Sequence, residues 1–477
     1  MPVGDLVRAA AITLTMMNAS TCSFSNSNIP TGPRGHPFRR ALMIGFLTAI
    51  AAVANANGIY RDGIGARSMS LSGADVAWAS GPLSALGINP AGLAQQDKPI
   101  VELSLSGVIP ETEYRSRTGA SGKMDRTFGV VPEGAVAFRL GTTPLTLGIG
   151  LIPDALMDAD WRYQDTPGGA NGTTTYGVQR HRSSITVLRS AVGLAADLGS
   201  SWSIGGSIGV LYNQNKLQSP YIFQTQPALA GIKTLLDLEA DGIGVNGSFG
   251  VIYKANEDLR FAAAYTTKST VHTEGDASGN ALAQLLALGP PFDGARPDFH
   301  YDAEVDNHFP QIISVGGSWQ ARPKLRLAMQ LDWIGWSDSF DTLTVRLKNG
   351  NNADLNGLVG ANSAEDNVPL DWHDRLVYRV GAELAAADNL SLRAGYSYGR
   401  SPVPDATLTP MTAAIPEHTL SVGAGYNCGS LTLDLTYQYN LPASQNVGTS
   451  ALRSGEYSGS RVEVGLHRIA IGASLRF

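Results

Sequence analysis

LRLAMQLDW, residues 325–333, repeats every two positions: Leu325, Leu327, Met329, Leu331 and Trp333 fall on one face, Arg326, Ala328, Gln330 and Asp332 on the other. Successive strand side chains point to opposite faces, so this stretch is a strand between two unlike environments. LTLDLTYQY (431–439) reads the same way, as do WSIGGSIGVLY (202–212), IGVNGSFGVIY (243–253), LSLRAGYSY (390–398) and HTLSVGAGY (418–426). Their second face carries Ser, Gly, Thr, Asn and Asp with an occasional Arg.

Fourteen strands are predicted, at about 100–109, 133–141, 144–152, 184–197, 201–213, 240–254, 257–270, 305–320, 323–337, 374–386, 389–399, 416–427, 430–440 and 461–477. Most run 9–15 residues. Soluble strands average about 5–6, whereas a tilted strand takes about 9–11 to cross a bilayer. The connections alternate: short turns such as GTTP (141–144), LGSS (198–201), KANED (254–258), QARPK (320–324), AADN (386–389) and NCGS (427–430) alternate with much longer loops. A soluble sandwich has no reason to sort its loops this way. An outer-membrane barrel does, with short periplasmic turns, long extracellular loops and an even strand number.

Trp333, Tyr396, Tyr398, Tyr437 and Tyr439 fall at the outer ends of strands, and Tyr253, Trp319 and Tyr426 at the inner ends. They form the two girdles expected at the membrane interfaces. The last strand, RIAIGASLRF, ends on Phe477, which resembles the signal read by the barrel-assembly machinery. The fold class is therefore an all-β transmembrane barrel of about 14 antiparallel strands, placed in a bacterial outer membrane among lipid and lipopolysaccharide.

Composition agrees. The 477 residues include 54 Gly and 25 Pro, with 16% charged residues and a net charge of −6. That suits a turn-rich all-β chain and excludes the clustered basic face of a nucleic-acid binder. Arg39 and Arg40, the apolar run 41–53 and Ala54-Asn55-Ala56 read as a signal peptide. The chain divides into a leader and signal peptide at 1–56, a segment at 57–99 and the barrel at 100–477, with Met43 or an earlier Met as the true start. Cys22 precedes the cleavage and Cys428 is then alone; no Cys/His metal spacing occurs and no cofactor is expected.

Residues 57–99 do not alternate, and are rich in Gly, Ala and Ser. A segment of this length ahead of the first strand is read as a hatch of short helices folded inside the lumen, which is wide enough to need blocking. Within it, Asn89 is placed to close an Asx turn and Pro90 fixes φ, while Ala91 and Gly92 are small enough to lie against a wall.

Here the chain resembles a family. GIGARSMSLSGA (63–74), then NPAG (89–92), HFPQIISVGGSW (308–319) and LDWIGWS (331–337) are similar to the FadL/TodX (OMPP1) family. Those are outer-membrane channels for long-chain fatty acids and other hydrophobic compounds, and the likeness covers residues 57–477. The resemblance implies extracellular capture, a hatch shift and lateral diffusion through a gap where the third strand kinks. That strand is LTLGIGLIPD, and Gly148, Gly150 and Pro153 are the candidate kink residues.

Two long loops carry apolar helical patterns. Leu229, Ile232, Leu235 and Leu236 form one, and Leu282, Leu285, Leu286 and Leu288 the other. Exposed apolar patches mark binding, so these form the expected landing site for a fatty acid or aromatic hydrocarbon. A carboxylate cargo would want a cation, and Arg189, Arg375, Arg379 and Arg393 fall on the lumen face. The rival readings are a hydrophilic porin and an outer-membrane barrel enzyme. For an enzyme only Asp371-Trp372-His373-Asp374 is suggestive, and adjacent strand residues point apart.

Overall fold

The structure, a computed structural model, describes residues 58–477 apart from 61, 125–128 and 200, so the expected signal peptide lies outside the described residues. Among the described residues nineteen strands follow the hatch: β1 (Ile100–Arg115), β2 (Ser121–Gly122), β3 (Gly129–Arg139), β4 (Leu145–Gln164), β5 (Val178–Asp197), β6 (Trp202–Ile222), β7 (Lys233–Lys254), β8 (Leu259–Thr266), β9 (Ser269–Asn280), β10 (Asp298–Phe309), β11 (Ile312–Arg322), β12 (Leu325–Ile334), β13 (Thr342–Lys348), β14 (Ala364–Pro369), β15 (Arg375–Ala387), β16 (Leu390–Gly399), β17 (His418–Cys428), β18 (Leu431–Asn446) and β19 (Arg461–Arg476). Among the described residues the α-helices are α1 (Gly65–Met69), α2 (Pro82–Gly87), α3 (Leu282–Leu288) and α4 (Ala353–Val359). No helix among the described residues is long and apolar enough to cross a membrane.

Fourteen staves close the barrel. Thr267 and Lys268 interrupt one stave, β8 with β9, and Pro310 and Gln311 interrupt its neighbour, β10 with β11. All pairings are antiparallel, and β1 meets β19 from Ile100↔Arg476 to Arg115↔Arg461. Closure leaves no sheet edge for hydrocarbon to face unsatisfied. Each expected strand corresponds to one stave.

The two faces sort as the alternation requires. Met329 on β12 is 67% exposed toward lipid, and its neighbour Gln330 is buried toward the lumen. Ile208, Ile243, Val245, Phe249, Val422 and Ile471 continue the greasy belt. Trp202, Trp319 and Tyr426 ring its periplasmic rim. At the outer rim the Tyr396 hydroxyl meets His418 Nδ1 at 2.7 Å, and Tyr437 meets His467 Nδ1 at 2.7 Å.

The staves outgrow their expected lengths on the extracellular side. β7 has 22 residues and pairs β6 as far as Ile222↔Lys233. The apolar helix expected over 227–238 is therefore corrected: residues 223–232 turn, and Leu235 and Leu236 lie in β7. Leu236 and Leu238 alternate with Asp237 and Glu239, and the strand buries the leucines under β10 residues Phe299 and Tyr301. Cross-strand packing overrides a helical spacing of leucines. Two hairpins, β9–β10 carrying α3 and β13–β14 carrying α4, join through Asp302↔Lys348 to Val305↔Val345 into a sheet above the rim.

Candidate functional site

The hatch fills the periplasmic half of the lumen, and carboxylates on the wall hold the starts of its short helices. Glu102 on β1 accepts from the Leu83 backbone N–H at 3.1 Å, and Glu133 on β3 accepts from Gly65 N–H at 2.8 Å. These are the orphan donors that a helix start leaves open. Asn89 Oδ1 accepts from Ala91 N–H at 3.1 Å and caps a 3₁₀ turn, Pro90–Gln95. Asn89 Nδ2 then donates to Val76 O at 2.8 Å and Val251 O on β7 at 3.4 Å. One side chain ties the turn to itself, to the hatch and to the wall.

The wall is cut back where that turn lies. A Cβ on Gly250 of β7 would stand 1.8 Å from Asn89 Oδ1, and one on Gly205 of β6 would stand 2.5 Å from the Pro90 carbonyl. Gly92 is itself confined, since a Cβ there would lie 2.4 Å from Ala79 Cβ. Gly148, Gly150 and Gly193 do the same for two hatch leucines: a Cβ on Gly148 would reach Leu93 at 2.6 Å, and one on Gly150 would reach Leu86 at 2.9 Å.

That places the expected kink residues. Gly148 and Gly150 sit in the regularly paired part of β4, opposite Ala137 and Ala135 of β3, and serve the hatch. Pro153 lies at the irregularity, where the β4–β5 register slips between Pro153 and Ala155. The β3–β4 ladder ends at Gly134↔Leu151, although β3 still pairs β1 as far as Val108↔Gly129. Continued two steps, the ladder would set Pro132 opposite Pro153. Neither proline has an N–H to give, so no ladder can form there.

Side chains, not hydrogen bonds, close this seam: Val131 of β3 packs on Leu156 of β4, both buried. The loose edge of β4 is satisfied from inside the lumen. Leu156 N–H donates to Ile59 O at 3.0 Å, and Tyr60 bridges to Ala155. Residues 58–60 thus run between the seam and an aromatic cluster in the outer lumen. The Tyr60 and Trp336 rings lie 5.4 Å apart, Trp336 meets Trp372 at 5.1 Å, and Phe340 stacks on Trp372 at 4.6 Å. Trp161, Leu408 and Ile415 extend the same apolar body.

The lumen arginines hold the hatch and the wall. Arg189, buried, donates to Leu86 O at 2.8 Å, Ser207 Oγ at 2.7 Å and Asn246 Oδ1 at 2.8 Å. Arg379 joins Asp332 at 2.6 Å to hatch Asp62 at 2.7 Å, and Asp62 also accepts from Thr419 at 2.7 Å. Arg393 bridges Glu383 and Asp434. Arg375 donates to the Ser401 and Asp374 carbonyls.

On the extracellular side, α3 presents Leu282 and Leu286, 46% and 58% exposed, while Leu285 is buried beneath it. Leu229 and Ile232 pack against the β7–β10 cluster. Below them Lys233, fully buried, reaches Asp165 at 2.7 Å and Glu456 at 3.0 Å, tying the loops after β4 and β18 to β7. Burial pushes both carboxyls above their ordinary range, against the pull of Lys233. The Asp371–His373 stretch builds no acid–base pair: Trp372 is in the aromatic cluster, His373 Nδ1 meets Asp371 O at 2.8 Å, and Asp374 accepts from Ser337 Oγ at 2.7 Å.

A closed barrel with a lipid belt, corked by its own leading segment, defines an outer-membrane transport protein for hydrophobic compounds. The chain belongs to the outer membrane protein transport protein (OMPP1/FadL/TodX) family, whose pattern matches residues 47–477. It is 22% identical over 388 residues to a long-chain fatty acid transport protein of Escherichia coli O6:H1, covering 76% of this chain and 79% of that one. The toluene transporter TodX of Pseudomonas putida superposes with a TM-score of 0.69 at 21% identity, over 88% of this chain and all of that one. The Ralstonia pickettii toluene transporter TbuX gives 0.66 at 20% identity, over 87% and 99%.

Neither Glu102, Glu133 and Asp62 as hatch anchors nor Pro132 as partner of Pro153 was found from sequence. Only the last had a readable signal, a proline one residue ahead of the strand predicted at 133–141.

Proposed function

We propose that this protein takes up hydrophobic molecules passively from outside the cell and releases them sideways into the outer membrane. The single observation that carries this reading is the β3–β4 seam, closed by Val131 and Leu156 with no ladder behind them. Cargo lands on Leu282 and Leu286, enters the aromatic cluster around Trp336 and Trp372, and displaces residues 58–60 from the β4 edge. It leaves between the two strands. The hatch never opens fully, because Asn89, Arg189 and Arg379 keep its body on the wall.

Long-chain fatty acids are the cargo the family resemblance implies first, and the E. coli relative is named for them. Arg189, Arg375, Arg379 and Arg393 all have acceptors already, however, and desolvating a carboxylate without a cation is costly. That favours cargo without charge, aromatic hydrocarbons or long apolar chains. Phe477, 67% exposed at the end of β19, is free to be read during assembly into the membrane.

The test is uptake by a strain lacking the native channels. Expressing this chain should raise uptake of labelled toluene more than that of labelled oleate. Rapid sugar flux in liposome swelling would instead make it a hydrophilic porin.

A further inference from the structure

On the outer face of the β9–β10 hairpin, away from the lumen, His272, Glu274 and Glu304 place one ligand atom each within 4.8 Å of one another. We propose that these three residues bind a divalent metal ion of the zinc class.

The geometry is that of a primed site. His272 Nε2 lies 3.6 Å from Glu274 Oε1 and 4.0 Å from Glu304 Oε2. A tetrahedral ion with bonds of about 2.0–2.2 Å separates its ligands by about 3.4 Å, so small side-chain rotations suffice. The other imidazole nitrogen, Nδ1, sits 2.7 Å from Asp306 Oδ1. A carboxylate there accepts a hydrogen bond from Nδ1–H and leaves the Nε2 lone pair directed at the two glutamates, the outer-shell arrangement that orients metal-bound histidines. Arg346 fixes that carboxylate in turn, at 2.6 Å on its second oxygen. Lys348 engages Glu304 Oε1 and leaves Oε2 to face His272.

Charge points the same way. The register sets Glu274 opposite Glu304 and Asp276 opposite Asp302 on one face. Asp241 and Glu239 on β7 stand beside Glu274 and Asp276. Like charges directly opposite each other destabilise a sheet, and a dication between Glu274 and Glu304 removes that repulsion. A histidine with two carboxylates suits zinc better than magnesium or calcium, which prefer all-oxygen sets. The ion would cross-link β9 to β10 below α3, with a fourth position left to water. A second triad, Asp276, His300 and Asp302, lies further toward the tip.

The test uses the full chain in detergent, stripped with a chelator and titrated with zinc chloride by calorimetry, with magnesium chloride as control. Zinc should bind saturably and magnesium should not. His272→Ala should weaken zinc binding at this site more than tenfold, and Asp306→Asn by about tenfold without changing stoichiometry. His300→Ala should leave the site intact, and zinc-edge absorption should report one nitrogen among oxygen ligands. Each variant is checked for the heat-dependent gel shift of a folded barrel. No saturable zinc binding by the folded native chain would overturn the proposal. So would equal binding by a folded His272→Ala variant, which would leave only a solvated ladder of ion pairs.

Discussion

Val131 and Leu156 pack on each other across the one stretch where neighbouring staves β3 and β4 face without a ladder between them. Where a ladder runs, separating two staves breaks backbone hydrogen bonds in hydrocarbon, which costs several kcal/mol per group. Here separation loses mainly one apolar contact. If cargo leaves by this route, a Val131→Cys, Leu156→Cys protein joined by a short thiol cross-linker should lose at least nine-tenths of its hydrophobic uptake. Uncross-linked protein should keep it.

Prolines set that weakness. Pro132→Val together with Pro153→Val restores an N–H on both strands and lets the ladder extend upward. The expected result is a more heat-stable barrel with several-fold slower uptake, read by the gel-shift temperature and by labelled toluene entry.

Asn89 makes three bonds at the foot of the hatch. Asn89→Ala should cost about 1–3 kcal/mol for the polar groups left unpaired. It should also raise leakage of small sugars in liposome swelling, because the hatch body loosens while the barrel stays closed. Gly250→Val should give the same leak from the other side, by driving a side chain into the space that Asn89 Oδ1 fills.

The Lys233 knot makes the extracellular loops sensitive to pH. Asp165 and Glu456 hold protons more tightly folded than unfolded, because burial disfavours their charge. The native state therefore binds more protons, and stability falls as pH rises above the ordinary carboxylate range of about 4. Hydrogen exchange in residues 165–177 and 447–460, corrected for intrinsic rates, should be slower at about pH 5 than at about pH 8. Lys233→Met should widen the difference.

Landing is tested at the leucines that α3 exposes. Leu282→Asp with Leu286→Asp should slow uptake several-fold at low cargo concentration and leave assembly unchanged. Leu285→Asp would instead disturb folding of the loop, since that side chain is buried.

The staves were legible because lipid and lumen impose opposite demands on adjacent residues, as on Met329 and Gln330. Above the membrane that contrast fades. Leu229, Ile232, Leu235 and Leu236 then look helical, although Leu236 packs in β7 with Phe299 and Tyr301 of β10. β13 does alternate, Leu343, Val345 and Leu347 against Thr344, Arg346 and Lys348, but lies inside the long connection between the strands predicted at 323–337 and 374–386. The NPAG turn was legible from Asx chemistry, but what it rests against was not, because Gly205 and Gly250 lie more than a hundred residues away. Pro132 facing Pro153 and the His272 triad depend on register, which a single sequence does not state. The four arginines lie on the lumen face; acceptors of two of them, Asp62 for Arg379 and the Leu86 carbonyl for Arg189, come from a segment with no period to align.

The glycine hollows facing Asn89, Pro90, Leu86 and Leu93 are cut to one cork. Each such pair is a lock with its own key, so exchanging leading segments between relatives at this level of divergence should yield barrels that insert but stay ajar. Cork and cylinder are bound to diversify together, residue against residue, even where cargo changes.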